Sequence, residues 1–313
     1  MYPLKKILVA LDASSMDDTL IEFASFLAQS TSAESVHFVN VIKNAQLPNA
    51  LRKEFPNLME DAIKDRKKQM EKKVIERFDM TNQNIKVKIT VEQGLLPSKH
   101  ILKLAEKHNI DAIVVGRKEK LKGSSVVTQR LARRATCSLL IVPEKEYSSM
   151  NRMLVATDFS KDALVALEEA ISVASHGKNE GRDVEIICHH VYQVPVGYHY
   201  TGKSFEECGD VMRKNAEKNY KKFISKVDTR NVKITPLFTL SKQESPVSVI
   251  YDKAVEMNAN CIVIGGKGKA ASTAFFPIGT NTEKLISMDA NIPLLIVRPK
   301  HKNAGLMEML QRI

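Results

Sequence analysis

The chain has 313 residues, of which 43% are hydrophobic and 27% charged, and its formal net charge is +11. The length corresponds to about two domains, and the apolar share is enough to fill two globular cores. No run of about eighteen apolar residues occurs, so no membrane-spanning helix is expected. The opening Met1-Tyr-Pro-Leu-Lys-Lys lacks the regions of a secretory signal, and a cytoplasmic location follows as the expectation.

In chain order, the first half reads as a strand at 6–12 and a helix at 19–29 whose stripe is Leu20, Phe23, Ala24 and Leu27. A strand at 35–41 and a long charged helix near 49–77 follow. The basic cluster at 64–73 belongs to that helix and interleaves acids with bases. No aromatic residues accompany it to stack on bases, so a solvated helix face is expected rather than a nucleic-acid surface. A strand at 85–91, a helix at 97–108, a strand at 112–115, a helix at 125–135 and a strand at 138–142 complete the half.

The second half repeats the first. Ile7-Leu-Val-Ala-Leu-Asp12 is echoed by Met153-Leu-Val-Ala-Thr-Asp158, and Ala112-Ile-Val-Val-Gly116 by Cys261-Ile-Val-Ile-Gly265. The stretch from Gly123-Ser124 to Pro143 returns from Gly279-Thr280 to Pro299. Leu164, Leu167 and Ile171 supply the counterpart helix stripe, with Ser160 placed to cap it. Pro97 and Pro246 stand where the third helix of each half begins, a position that needs no N–H. Domains are therefore expected at 1–146 and 150–300. Residues 301–313 form a tail in which Leu306, Met307, Met309, Leu310 and Ile313 share one helical stripe.

Val- and Ile-rich strands alternating with helices predict an α/β protein: two tandem doubly wound domains, each a five-stranded parallel sheet of order 3-2-1-4-5. Ligands of such sheets bind beyond the strand ends where the winding reverses. That rule singles out Asp12, Asp158 and the glycines after the fourth strand. In the second half Gly265-Gly-Lys-Gly-Lys269 follows a strand and Gly279-Thr280 opens a helix. Glycine permits close backbone approach to a phosphate chain, and a helix N-terminus supplies N–H donors. Lys267 and Lys269 add charge, and Asp158 is placed to take hydrogen bonds from a ribose or a base.

These residues resemble the universal stress protein family, which carries an aspartate after its first strand and a G-x2-G-x9-G-[S/T] loop after its fourth. Thr157-Asp158-Phe159-Ser160 is similar to the family's first-strand ending, and Gly265, Gly268, Gly279 and Thr280 to its phosphate loop. His190-Val191 is similar to the end of the second strand, where a valine backbone receives adenine. The resemblance covers nearly the whole chain, twice. It implies an adenine nucleotide α-hydrolase-like fold and an ATP site formed by Thr157, Asp158, Val191, Gly265, Gly268, Gly279 and Thr280, with magnesium accompanying the triphosphate. One departure stands in the loop: ten residues separate Gly268 from Gly279, where the family has nine.

The first half keeps Asp12 and Val41 on the base side. Its loop has Glu119 where the second glycine belongs and spans seven positions from Gly116 to Gly123, against fourteen from Gly265 to Gly279. ATP is therefore expected in the second half alone, and Arg117, Lys118, Lys120 and Lys122 are expected as solvated loop charge. The implied protein is a nucleotide-binding module of stress response or signalling. The alternatives are an interaction scaffold with both sites empty and a slow ATPase, although no residue stands out as a general base. The two halves are expected to form an intramolecular pseudo-dimer through their last strands, with further homodimerisation left open. Cys137, Cys188, Cys208 and Cys261 lack metal-site spacing and read as reduced thiols, mostly packed in strands.

Overall fold

In the computed structural model, residues 4–31, 33–43, 53–81, 84–118, 126–145, 147, 150–179, 181–242, 244–268, 278–288 and 290–299 are described. The chain divides into two compact units, one of residues 3–148 and one of residues 149–313 together with residues 1–2. The expectations for Glu119, Lys120, Lys122, Gly123, Ser124, Lys269 and the tail from 301 lie outside the described residues.

The first unit runs β1 (Lys6–Leu11), α1 (Met16–Ser30), β2 (Ser35–Lys43), α2 (Leu58–Arg77), β3 (Lys86–Gly94), α3 (Pro97–Lys107), β4 (Ala112–Arg117), α4 (Val126–Arg134) and β5 (Ser138–Pro143). The second runs β6 (Arg152–Ala156), α5 (Lys161–Asn179), β7 (Glu185–Gln193), α6 (Phe205–Ile224), β8 (Lys233–Ser241), α7 (Pro246–Glu256), β9 (Cys261–Gly265), α8 (Thr280–Ser287) and β10 (Leu294–Val297). A single 3-10 turn, Tyr198–Thr201, precedes α6. Within each unit all strand pairs are parallel, in the orders β3-β2-β1-β4-β5 and β8-β7-β6-β9-β10. Both are the order 3-2-1-4-5.

The central strands are buried on both faces, as parallel strands covered by helices must be. Ile7, Leu8 and Val9 in β1, and Leu154 and Val155 in β6, are fully buried. The core face of α5 differs from the expected stripe. Leu164 is only half-buried, and the sheet is met by Ala163, Ala166, Leu167, Ala170, Ile171 and Ala174. Small side chains let the helix lie close to β9.

Both units end their third helix in the same way. Asn109 and Asn258 take φ of 51° and 52°, and the N–H of the next residue, Ile110 or Ala259, closes back on Ala105 or Ala254 at 2.8 Å. Asparagine tolerates this left-handed position, and the closure satisfies a helix-end carbonyl. The chain then turns directly into the fourth strand, which fixes where the strand-end glycines fall.

Candidate functional site at the strand ends

The second-unit site begins in the turn after β6. The Thr157 N–H donates to the His189 carbonyl at 2.8 Å, carrying the ladder one residue beyond Ala156. The Thr157 hydroxyl then accepts the Phe159 N–H at 3.0 Å, and Asp158 Oδ1 accepts the Ser160 N–H at 3.0 Å. Ser160 Oγ accepts the Ala163 N–H at 3.1 Å, the helix cap that the sequence predicts. Phe159 has φ 61°, in a region bulky side chains avoid. Its ring lies 4.3 Å from that of His190 and 5.5 Å from that of Phe223, and this packing offsets the backbone cost.

One carboxylate oxygen of Asp158 is thus held in the turn, and the other faces the loop after β9. A Cβ built on Gly268 would stand 2.7 Å from Asp158 Oδ2. Any side chain at this position would push the Asp158 carboxylate aside, whereas glycine lets the backbone pass beside it. The far end of the loop returns to the same place. The Gly279 N–H donates to the Gly266 carbonyl at 2.8 Å, and a Cβ on Gly279 would lie 3.3 Å from the Gly268 nitrogen. The Gly266 N–H is itself anchored on the Val297 carbonyl at 2.9 Å, and the buried Thr282 hydroxyl donates to the Gly265 carbonyl at 3.1 Å. Gly268, Gly279 and the Asp158 carboxylate therefore converge where α8 begins with Thr280, which is exposed. Helix starts of this kind direct backbone N–H groups outward. Gly265 lies deeper. Its missing Cβ makes room for the backbone of Asp162 and Ala163 at the start of α5.

Val191 is set by register. Because the His189 carbonyl faces β6, alternation along the ladder turns the Val191 N–H and C=O to the same side. There β6 has already ended in the Thr157-Asp158 turn, so this peptide edge fronts the crevice. The first unit repeats the arrangement with Val41, two residues beyond Val39 on β2, and with Ala13 at φ 67° after Asp12.

Past that point the first unit departs. Lys118 Nζ lies 2.6 Å from Asp12 Oδ2, and Ser14 Oγ donates to Oδ1 at 2.5 Å. Burial alone would raise the Asp12 carboxyl, but the Lys118 and Ser14 hydrogen bonds and the lysine charge outweigh it and hold it below the ordinary 3.8. Behind it, fully buried Asp17 accepts the Asp12 N–H at 2.9 Å and pairs with Arg66 of α2 at 2.6 Å. Arg117 is buried as well. The expectation of solvated loop charge is thereby corrected for both residues: Arg117 is the last residue of β4 and is buried there, and the Asp12 carboxylate recruits the Lys118 ammonium. Sequence reasoning missed both ion pairs. It also missed that Asn40 and His190, the residues before the two valines, hydrogen-bond to the end of the first strand in each unit.

His189 points to the opposite face of the sheet from His190, as adjacent strand residues do. It is buried against Thr239 at 3.0 Å, and burial, then His190 and Lys253, push its pKa down to about 4. Among the described residues, no group of three His, Cys, Asp or Glu is arranged to hold a metal ion, and no helix is long and apolar enough to cross a membrane.

A five-stranded parallel sheet of this order, with a carboxylate at its winding reversal, gives each unit an adenine nucleotide α-hydrolase-like fold, and in the second unit a glycine neck meets that carboxylate. The family model of the universal stress proteins matches residues 3–143 and again 150–298, and the chain belongs to that family. Among solved structures, a universal stress protein from Archaeoglobus fulgidus DSM 4304 is similar at 19% identity and a TM-score of 0.60, over 95% of this chain and 97% of that one. A protein assigned to the universal stress proteins from Pseudomonas aeruginosa UCBPP-PA14 is similar at 15% identity and 0.61, over 98% of both chains. No curated protein matches the chain.

Proposed function

We propose that the second unit binds ATP and that the chain acts as a nucleotide-responsive module in stress response or signalling, in the cytoplasm. The convergence of the Gly268 and Gly279 backbones on the Asp158 carboxylate carries this reading. It puts a side-chain-free cradle and a helix start beside an acceptor for ribose or base. In this reading Val191 meets the adenine edge with its backbone, and Thr157 holds the turn that presents Asp158. Gly265 lets the strand approach α5, while Gly268, Gly279, Thr280 and Lys267 receive the phosphates. Magnesium bound to the triphosphate would find Asp158 as its nearest carboxylate, since this ion usually takes one or two carboxylates beside phosphate oxygens. Pairing of the two halves as a pseudo-dimer belongs to the same proposal and rests on the sequence repeat.

Titration calorimetry of the full chain with ATP and magnesium tests the reading. One site per chain is expected, abolished by Gly268→Val. Two equivalent sites would refute the restriction to the second unit. No binding at all would leave the interaction scaffold. Turnover of ATP that Asp158→Asn abolishes would instead make the protein a slow hydrolase.

A further inference from the structure

The two units share a hydrogen bond that their sequences disguise. In the first, Asn40 Nδ2 donates to the carbonyl of Leu11 at 2.8 Å. In the second, His190 Nδ1 lies 2.7 Å from the carbonyl of Thr157. Leu11 and Thr157 are the residues before Asp12 and Asp158, and Asn40 and His190 the residues before Val41 and Val191. An amide and an imidazole thus do the same work at matching positions. A carbonyl only accepts, so the His190 proton is on Nδ1.

We propose that His190 is a positioning residue of the second-unit site, latching the Thr157–Asp158 peptide so that the Asp158 carboxylate faces Gly268. The peptide is planar, so fixing the Thr157 carbonyl fixes the Asp158 N–H and Cα, and the bond from the Ser160 N–H to Asp158 Oδ1 then limits how the side chain turns about that point. The same imidazole packs at a tilt against the ring of Phe159, the residue in the left-handed conformation. One side chain therefore grips the turn from both sides of Asp158. In the first unit Asn40 makes the carbonyl bond alone, and the left-handed residue is Ala13, which offers no ring.

The inference rests on the nucleotide reading for its functional consequence, and its test separates the two. With the full chain, His190→Ala should weaken ATP binding about tenfold, the worth of one well-placed hydrogen bond. His190→Asn should recover most of that loss, because an amide at the matching position makes the bond in the first unit. Asn40→Ala should leave ATP affinity unchanged. Wild-type affinity in His190→Ala, or a His190→Asn variant as weak as His190→Ala, overturns the latch. Nitrogen-15 spectra of the imidazole read the latch without nucleotide: a neutral ring protonated on Nδ1 supports it, and one protonated on Nε2 overturns it. If the wild type binds no ATP, the nucleotide reading fails by itself. The latch is then judged on the ring spectrum and on the Asp158 carboxyl carbon resonance, which should shift in His190→Ala and return in His190→Asn. A resonance unmoved in His190→Ala refutes it.

Discussion

The Lys118 ammonium lies 2.6 Å from the Asp12 carboxylate, so the strand-end acid of the first unit is already engaged by the loop that follows β4. At the corresponding place in the second unit, the Gly268 backbone meets Asp158. Lys118→Ala is therefore expected to raise the Asp12 carboxyl toward its ordinary value while leaving ATP stoichiometry at one per chain. The Asp12 pKa is depressed in the folded state, so its contribution to stability is present above the unfolded value near 4 and is lost as pH falls through the folded one. Asp12 is half-exposed, which keeps that contribution below about 1 kcal/mol. A carbon-13 titration of Asp12 in both proteins checks the shift, and an unmoved pKa would show the ion pair to be inconsequential.

Asp17 and Arg66 form a buried pair at 2.6 Å, with the Asp17 side chain fully inaccessible. Removing one partner of such a pair leaves an uncompensated charge, so Arg66→Ala should destabilise the first unit by about 3–5 kcal/mol. The double variant Asp17→Leu, Arg66→Met should recover most of that loss. Urea unfolding of the three proteins measures it, and a mild Arg66→Ala would mean that solvent reaches the pair.

His37 and His189 each lie buried beside a threonine hydroxyl, at 2.8 Å from Thr90 and 3.0 Å from Thr239. Burial is the main cause that pushes both to about 4. The unfolded chain takes up these protons near pH 6.5 and the folded chain only near 4. Their stabilising effect is therefore complete above about pH 6.5 and is lost progressively as pH falls to 4, on the order of 3 kcal/mol for each ring. Stability of His189→Leu measured across that window should fall less steeply than that of the wild type. Equal slopes would remove His189 from the account.

Gly116 and Gly265 occupy matching strand ends but meet different neighbours. A Cβ on Gly116 would overlap the side chain of buried Met16, whereas one on Gly265 would press on the backbone of Asp162 at 2.7 Å. Gly116→Ala should cost about 1–3 kcal/mol of first-unit stability with ATP binding intact. Gly265→Ala should weaken both stability and ATP binding, because α5 can yield only by carrying the Asp158 turn with it. Thermal unfolding and calorimetry on the pair distinguish the two, and the reverse pattern would refute the assignment.

How far the sequence reaches is seen residue by residue. Strands buried on both faces were readable because runs such as Ile7-Leu-Val and Cys261-Ile-Val-Ile leave no polar face. The start of α1 falls at Met16, three residues earlier than periodicity predicts, because buried Asp17 sits in the core-facing turn and breaks the apolar pattern. β3 continues to Gly94 because Glu92 and Gln93 pair with Val41 and Ile42 through their backbones, whatever their side chains. At the site, glycines and aspartates announced themselves by type and spacing. Lys118 on Asp12 and Arg66 on Asp17 did not, since such pairs depend on which loop or helix the fold brings alongside. The Asn40 and His190 bonds were hidden for another reason: two dissimilar residues perform one task, and only the shared register betrays it.

The hydrogen bond from Gly279 to Gly266 also bears on how such a chain tolerates change over generations. It ties the segment between them at the neck, so the anchors that meet Asp158 do not depend on how many residues the segment holds. Lengthening a closed loop of about ten residues by one adds only roughly 0.1 kcal/mol of closure entropy. The extra residue between Gly268 and Gly279 is thus nearly neutral at the anchors, and a further residue inserted there should leave the Gly266–Gly279 closure in place.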